Sequence, residues 1–350
     1  MSLFSRLVLK DFPILASSVF LVLLSITVLR SFEPSIFPVY FVYIFLAFLA
    51  FFFFLKIDLE ILFLFSNHLY IFSIILLILP LIIGQVTRGA IRWIPLGNLT
   101  IQPSEIVRPF LLLFFAKYMA NRDFDFRLLV KSFFLFLIPF FLILIQPSLG
   151  VAALTAIGFI GVLLASTINK KYMLLAFIIF LLLLPLLWFI LAPYQKERIN
   201  SFLNPTSDPY GSGYNSIQSM IAAGSGQFFG RGIGEGVQTQ LAFLPEKHTD
   251  FIFAGVSEEL GFAGAVLILA ALFIIFWRLS VIIERSKGPL ERAFVAGVFL
   301  VFFSETFIHI GMNLGLLPIT GVPLPLVSAG GSALLATMMS LAMAINSKES

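Results

Sequence analysis

The feature that most constrains this chain is a succession of apolar runs, each near the roughly 20 residues that cross the hydrocarbon core of a bilayer as a helix. They fall at Phe12–Val28, Ile36–Leu55, Leu69–Gly84, Ser104–Met119, Leu128–Ile145, Gly150–Thr167, Tyr172–Leu191, Asp250–Trp277, Ala293–Leu316 and Pro325–Ala344. Backbone polar groups find no water in hydrocarbon, so each run must close its own hydrogen bonds as a helix. The expectation is an all-α polytopic membrane protein, one domain over residues 1–350 with about ten transmembrane helices. Composition agrees: 60% of residues are hydrophobic and only 11% charged, which excludes a soluble globular domain, where roughly a quarter are charged. The 43 phenylalanines suit helix faces that meet lipid.

The net charge of +4 does not point to nucleic acid, because the basic residues sit in short segments between apolar runs. Arg6 and Lys10 precede the first run without a small-residue cleavage site after it, which reads as a retained first span. Lys56, Arg122, Arg127, Lys131, Lys170, Lys171, Arg278, Arg285, Lys287 and Arg292 all fall on the side of the N-terminus, whereas the short opposite segments hold Arg30, Arg88 and Arg92. The positive-inside bias then predicts cytoplasmic N- and C-termini. The segment of about 193–249, between the seventh and eighth runs, becomes a large extracytoplasmic loop. Ile217, Met220, Ile221 and Phe228 recur there at rough helical spacing, which predicts short amphipathic helices on the outer membrane face. With no cysteine, packing alone must hold that loop.

Ionisable residues inside spans are costly and mark candidate functional positions. Glu105 and Arg108, three apart, share a helix face and can neutralise each other, either as a functional pair or as a structural lock. Lys117 is placed to snorkel to the cytoplasmic surface. Asp250 opens the eighth run, where it can cap the helix or present a carboxylate at the outer surface. Glu258 and Glu259 lie deeper, and at least one must face a polar cavity or a cation. Glu305, His309 and Asn313 form one stripe, suited to interhelical hydrogen bonds or a proton path. The alternating glycines of Gly230–Gly236 read as a flexible loop, or as backbone donors that with Arg231 face a phosphate. His248 beside Asp250 lacks the further ligands of a zinc site.

Five separated segments carry a resemblance: Gly89-Ala90-Ile91-Arg92-Trp93-Ile94, Gln102-Pro103-Ser104-Glu105, Gln146-Pro147-Ser148-Leu149-Gly150, Leu244 to Phe253 around Glu246-Lys247-His248-Thr249-Asp250, and Gly311 to Gly331 with Gly321-Val322-Pro323-Leu324-Pro325. In this order they resemble the shape, elongation, division and sporulation family that includes RodA and FtsW, over essentially the whole chain. The short N-terminal tail and the Glu246-Lys247-His248 wording look more RodA-like than FtsW-like. The chain departs from the family pattern at Ser148 (usually aspartate), His309 (asparagine), Ala329 (tyrosine) and Arg108 (commonly lysine).

The resemblance implies a peptidoglycan glycosyltransferase in the bacterial cytoplasmic membrane, acting in elongation and cell shape. It would polymerise lipid II at the outer face, using a glycan on undecaprenyl pyrophosphate as donor. Asp250 would be the catalytic carboxylate, with Arg88, Arg92, Glu105, Arg108, Arg231, Glu246, Lys247, His248 and Glu258 as substrate-binding candidates. A divalent cation (Mg²⁺ or Mn²⁺) could assist pyrophosphate departure; no organic cofactor is implied. A single-span class B penicillin-binding transpeptidase is the implied partner. Gly311, Gly315 and the Gly-rich start of the tenth run are a candidate docking surface. A lipid II flippase and a non-catalytic scaffold are the alternatives.

Overall fold

In a computed structural model, the protein is described at residues 3–87, 90–120, 126–166, 171, 189, 193–205, 208, 211 and 213–348. Arg88 and all but one residue of the expected seventh span lie outside that set. Helices dominate. Among the described residues, six are long and apolar enough to cross a membrane: Asp11–Phe32, Pro34–Lys56, Ser66–Ile83, Phe126–Ile145, Ile252–Glu284 and Pro289–Asn313. Leu149–Ala165 and Gly331–Asn346 are shorter apolar helices.

Helix α1 (Leu3–Phe32) bends at Asp11, with Pro13 just beyond. The bend matters because the buried Asp11 carboxylate takes both Nε and a terminal nitrogen of Arg278, at 2.9 and 2.8 Å, with Lys348 Nζ 3.9 Å away. The start of the first span, the end of a late one and the C-terminal segment therefore share one end of the bundle. Next come α2 (Phe37–Lys56), α3 (Leu59–Leu64) and α4 (Ser66–Ile83). Lys117 reaches the carbonyl of Phe63 at 2.7 Å, a structural tie at the end of α3.

A small antiparallel sheet follows α4, which the apolar pattern did not foretell. It comprises β1 (Gln85–Thr87), β2 (Ala90–Leu96) and β3 (Leu99–Ile101), in that order. Gly97, at φ 64°, supplies the left-handed first position of the two-residue turn between β2 and β3. Tyr43 Oη bonds both the N–H and the carbonyl of Thr100, fastening the sheet to α2.

The fourth expected run is two helices, α5 (Pro103–Ile106) and α6 (Arg108–Ala120). Pro109 has no N–H to give the Glu105 carbonyl, so the ladder breaks there. Helices α7 (Phe126–Ile145) and α8 (Leu149–Ala165) come next. The long segment ahead of the eighth expected run then forms α9 (Pro193–Leu203), α10 (Tyr214–Ser225) and the single turn α11 (Val237–Gln240). Short helices were expected there, and they occur.

The last three helices are α12 (Ile252–Glu284), α13 (Pro289–Asn313) and α14 (Gly331–Asn346). The tenth expected run began at Pro325; residues 325–330 instead form turns ahead of α14. Helix α14 is buried along most of its length. Its Asn346 donates to the carbonyls of Phe54, Leu55 and Ile57, which α2 leaves open at its end. Where α8 crosses α13, a Cβ on Gly161 would stand 2.8 Å from the Ala296 carbonyl oxygen and 2.9 Å from the Gly297 Cα. Small residues permit this backbone approach, the packing on which helices in lipid depend.

Helix α12 is interrupted at Gly261, whose φ of 67° is left-handed. The outer loop repairs the break. Glu258 and Glu259 carbonyls, which lose their own ladder partners, accept the N–H groups of Arg231 (2.9 Å) and Gly232 (3.0 Å). In exchange Phe262 and Ala263 donate to the carbonyls of Gln227 and Phe228, at 2.9 and 3.0 Å. A Cβ on Gly226 or Gly230 would collide with the α12 backbone, so glycine is needed for this splice.

Candidate active site

The turn Glu246–Asp250 lies where the long loop ahead of α12 enters the bundle. Glu246 adopts φ 51°, and its carbonyl accepts the N–H groups of Thr249 (3.1 Å) and Asp250 (3.0 Å). Thr249 Oγ1 closes the turn on the Glu246 carboxylate at 3.1 Å. Two other elements hold it. Ser328 Oγ donates to the Thr249 carbonyl (2.8 Å), and Ala329 N–H donates to the His248 carbonyl (2.9 Å). From α13, Asn313 Nδ2 donates to the Asp250 carbonyl (3.0 Å), while its Oδ1 accepts the Ala254 N–H (2.9 Å). Asn313 is fully buried.

These bonds use the backbone of the turn, and the Asp250 side chain is half-buried at the outer end of the bundle. Its Oδ2 lies 3.6 Å from where a Cβ on Gly321 would be. Gly321, at φ 70°, belongs to the loop between α13 and α14. That loop is tied down by His309 Nδ1, which donates to the Val322 carbonyl at 2.8 Å, and by Arg198, which donates to the Ile319 carbonyl at 3.2 Å. Helix α12 starts at Ile252 with Phe251 in the cap position, so Asp250 stands just ahead of the cap.

Several other candidates have structural duties. Lys247 turns inward, is buried, and donates to the Thr239 carbonyl at 2.5 Å, so it does not face a pyrophosphate. His248 Nε2 lies 3.9 Å from Glu246 Oε2, a loose pair beside Asp250. The cavity or cation expected for Glu258 or Glu259 is replaced by amides and hydroxyls. Glu258 accepts the N–H groups of Gln238 (2.8 Å) and Thr239 (3.0 Å); Glu259 accepts Ser31 Oγ (2.6 Å), Gly234 N–H (3.0 Å) and Gln240 Nε2 (3.1 Å). Donors in the Gly230–Gly236 run thus point at protein carbonyls and a carboxylate rather than at a phosphate. Arg231 Nε rests 3.2 Å from Ser225 Oγ with its side chain exposed, and Arg92 is half-buried on β2.

Glu105 and Arg108 do pair, and Glu305 joins them. The Arg108 guanidinium donates to Glu105 Oε2 and Glu305 Oε1, each at 2.5 Å, with all three side chains buried. The third member was unreadable because it lies far along the chain from the other two. The Glu305, His309 and Asn313 stripe therefore bonds outside its own helix at every position: Glu305 to Arg108 of α6, His309 to Val322 in the following loop, and Asn313 to Ala254 of α12 and to Asp250 in the turn. The glycines expected to face a partner are filled from within. A Cβ on Gly311 would meet Leu317 at 2.7 Å, on Gly315 Met220 at 2.4 Å, and on Gly331 the Tyr43 ring at 2.3 Å. Among the described residues, no group of three or more His, Asp or Glu side chains could hold a metal ion.

Fold and site together define a multi-pass membrane protein that presents a carboxylate on a rigid turn at one end of its bundle. The chain belongs to the cell cycle protein family of FtsW, RodA and SpoVE, whose family model matches residues 7–350. It is 41% identical over 277 residues to the peptidoglycan glycosyltransferase MrdB of Escherichia coli, covering 78% of this chain and 75% of that relative. The probable peptidoglycan glycosyltransferase FtsW of Aliivibrio salmonicida is 35% identical over 290 residues, covering 80% and 71%. Among solved structures, a chain from work on the coordination of polymerization and crosslinking by a peptidoglycan synthase complex aligns with a TM-score of 0.83 at 30% identity, over 96% of both chains. The rod shape determining protein RodA of Thermus thermophilus aligns with a TM-score of 0.73 at 26% identity, again over 96% of both.

Proposed function

We propose that this chain polymerises lipid II at the outer face of the bacterial cytoplasmic membrane, with Asp250 as the acting carboxylate. It is a peptidoglycan glycosyltransferase by its kinship with MrdB and FtsW, of the kind that serves elongation and cell shape. The observation that carries the assignment of Asp250 is the turn itself: two other elements fix its backbone, and the carboxylate stands half-buried over Gly321. In the reaction, the 4-hydroxyl oxygen of the acceptor sugar attacks the anomeric carbon of the donor. The bond from that carbon to the pyrophosphate oxygen breaks, the configuration inverts from α to β, and the hydroxyl proton passes to Asp250.

The departing pyrophosphate needs positive charge. Lys247 is committed elsewhere, which leaves Arg88, Arg92, Arg198 and Arg231 as candidate outer cations to carry it. Asp250 and Glu246 supply carboxylates at the turn but no cage for a resident ion. A magnesium or manganese ion would enter already bound to the pyrophosphate, supplying charge neutralisation. Opposed to the flippase alternative, Arg108 is held between the Glu105 and Glu305 carboxylates, with all three side chains buried and spent on one another. Asp11, Arg278 and Lys348 gather at the end opposite Asp250, in keeping with both termini being cytoplasmic.

The product is an uncross-linked strand, and a class B penicillin-binding transpeptidase is the partner that would cross-link it, held close so that its effective concentration stays high. Purified protein given lipid II, with and without that partner, tests the assignment: glycan chains are expected, and their absence under both conditions would overturn it.

A further inference from the structure

Glu258 is fully buried, eight residues beyond Asp250. Its two oxygens accept the N–H groups of Gln238 and Thr239 at 2.8 and 3.0 Å. Those are among the N–H groups that the first turn of any helix leaves without a partner, here in α11. The residue in the cap position of α11 is Gly236, which has no side chain to serve them. Nor could another residue stand there easily, since a Cβ on Gly236 would lie 2.7 Å from Glu258 Oε2. The carboxylate of one helix thus caps another across the loop.

The far end of α11 leads to the catalytic turn. The carbonyl of Thr239 is one of those a helix end leaves open, and Lys247 Nζ fills it at 2.5 Å. Thr239 is fully buried and Lys247 nearly so. An anion therefore sits at the N–H end of this single turn and a cation at its carbonyl end, each on the side that the peptide dipoles favour. Lys247 lies between Glu246, whose carbonyl closes the turn, and Asp250. Removing the ammonium frees the turn on the side that Asn313, Ser328 and Ala329 do not hold.

We propose that Glu258 is a positioning residue for Asp250: through α11 and Lys247 it sets how the Glu246–Asp250 turn presents its carboxylate. A substrate-contact role for Glu258 does not fit, because both its oxygens are spent on backbone N–H groups inside the protein. The inference rests on Asp250 being the acting carboxylate, and its test separates the two.

The variants are Glu258→Gln, which keeps the shape but puts a donor against two donors, Gly236→Ala, which obstructs the carboxylate, and Lys247→Met, which keeps the stem and removes the charge. Each is purified in detergent, assayed on lipid II and followed by amide hydrogen exchange. Every variant should lower kcat by about tenfold or more with KM within about twofold, the signature of a misplaced reacting group rather than lost binding. Exchange over residues 238–250 should speed by about tenfold while α13 and α14 stay protected. Glu258→Gln with Lys247→Met should be no worse than the worse single change, because both cut one relay. Losses that multiply in the double variant, a rise in KM with kcat unchanged, or unaltered exchange at 246–250 would overturn the proposal. If Glu258→Gln does not fold, Lys247→Met alone decides it by exchange at 246–250. Asp250→Asn is the separating control. Lost activity with unaltered exchange upholds Asp250 and leaves the relay to its own variants; retained activity sinks the reading of Asp250 without touching the exchange result.

Discussion

Two groups of charged residues sit in this bundle, and they are built in opposite ways. In the Glu105–Arg108–Glu305 triad, side chain meets side chain inside the protein, and each charge is spent on a neighbour. Around Asp250 the neighbours grip the backbone: Asn313 the Asp250 carbonyl, Ser328 the Thr249 carbonyl, Ala329 the His248 carbonyl. Charges of the first kind lock helices, because an unpaired ion in low dielectric is expensive. A turn of the second kind fixes where its carboxylate stands, which is what a reacting group needs. Counting intramembrane charges treats both alike; asking whether neighbours hold the side chain or the backbone separates them.

The largest expected effect falls on the triad. Arg108→Ala leaves two carboxylates facing each other without their cation and should cost about 3–5 kcal/mol in detergent denaturation. Removing Glu105 is milder, since Arg108 keeps Glu305. Simple pairing would let Glu105→Ala combined with Arg108→Ala recover stability, but here the double change still strands Glu305. Recovery in that double variant would break the contrast, by showing that Glu305 is not part of the lock. Asn313→Leu should act on both properties. It strips partners from the Ala254 N–H and the Asp250 and His309 carbonyls, costing about 1–3 kcal/mol, and loosens the turn enough to lower polymerisation. A stable but inactive Asn313→Leu protein would sharpen the assignment of this residue to the site alone. Smallest in stability is Gly321→Ala, about 1–2 kcal/mol for a left-handed residue. Its added methyl, 3.6 Å from Asp250 Oδ2, should depress activity more than stability. Thermal denaturation beside a lipid II assay reads both.

Much of the fold could be read because hydrocarbon imposes one rule, and runs such as Phe12–Val28 and Leu128–Ile145 obey it. The exceptions lie where a residue's partner comes from a distant segment. Gly261 looks like any small residue in an apolar run; only the backbone of Gln227, Phe228, Arg231 and Gly232 makes its break tolerable. Lys247 resembles a surface cation in a polar motif, and its inward turn depends on the open Thr239 carbonyl. Glu258 and Glu259 read as charges in need of cations because no periodicity reveals that a loop will bring them amides. Gly311, Gly315 and Gly331 looked like an outward face, yet Leu317, Met220 and Tyr43 occupy the space beside them. The β1–β3 sheet was missed because its strands are short and carry no clear alternation. The Asp250 segment was legible as a motif by resemblance. What fixes its geometry, Asn313 above all, was visible only as part of a polar stripe.

The most direct test of the contrast between a structural and a reacting charge is the rate of lipid II polymerisation by purified Asp250→Asn protein, with its melting temperature measured on the same sample. Asparagine keeps the size and the backbone bonds of the turn and removes only the charge and the basicity. Polymerisation should fall by about 10²–10⁴-fold, the usual worth of a positioned acid or base, while stability stays within about 0.5 kcal/mol. A folded Asp250→Asn protein that polymerises lipid II at close to the original rate would contradict the assignment of Asp250 as the acting carboxylate.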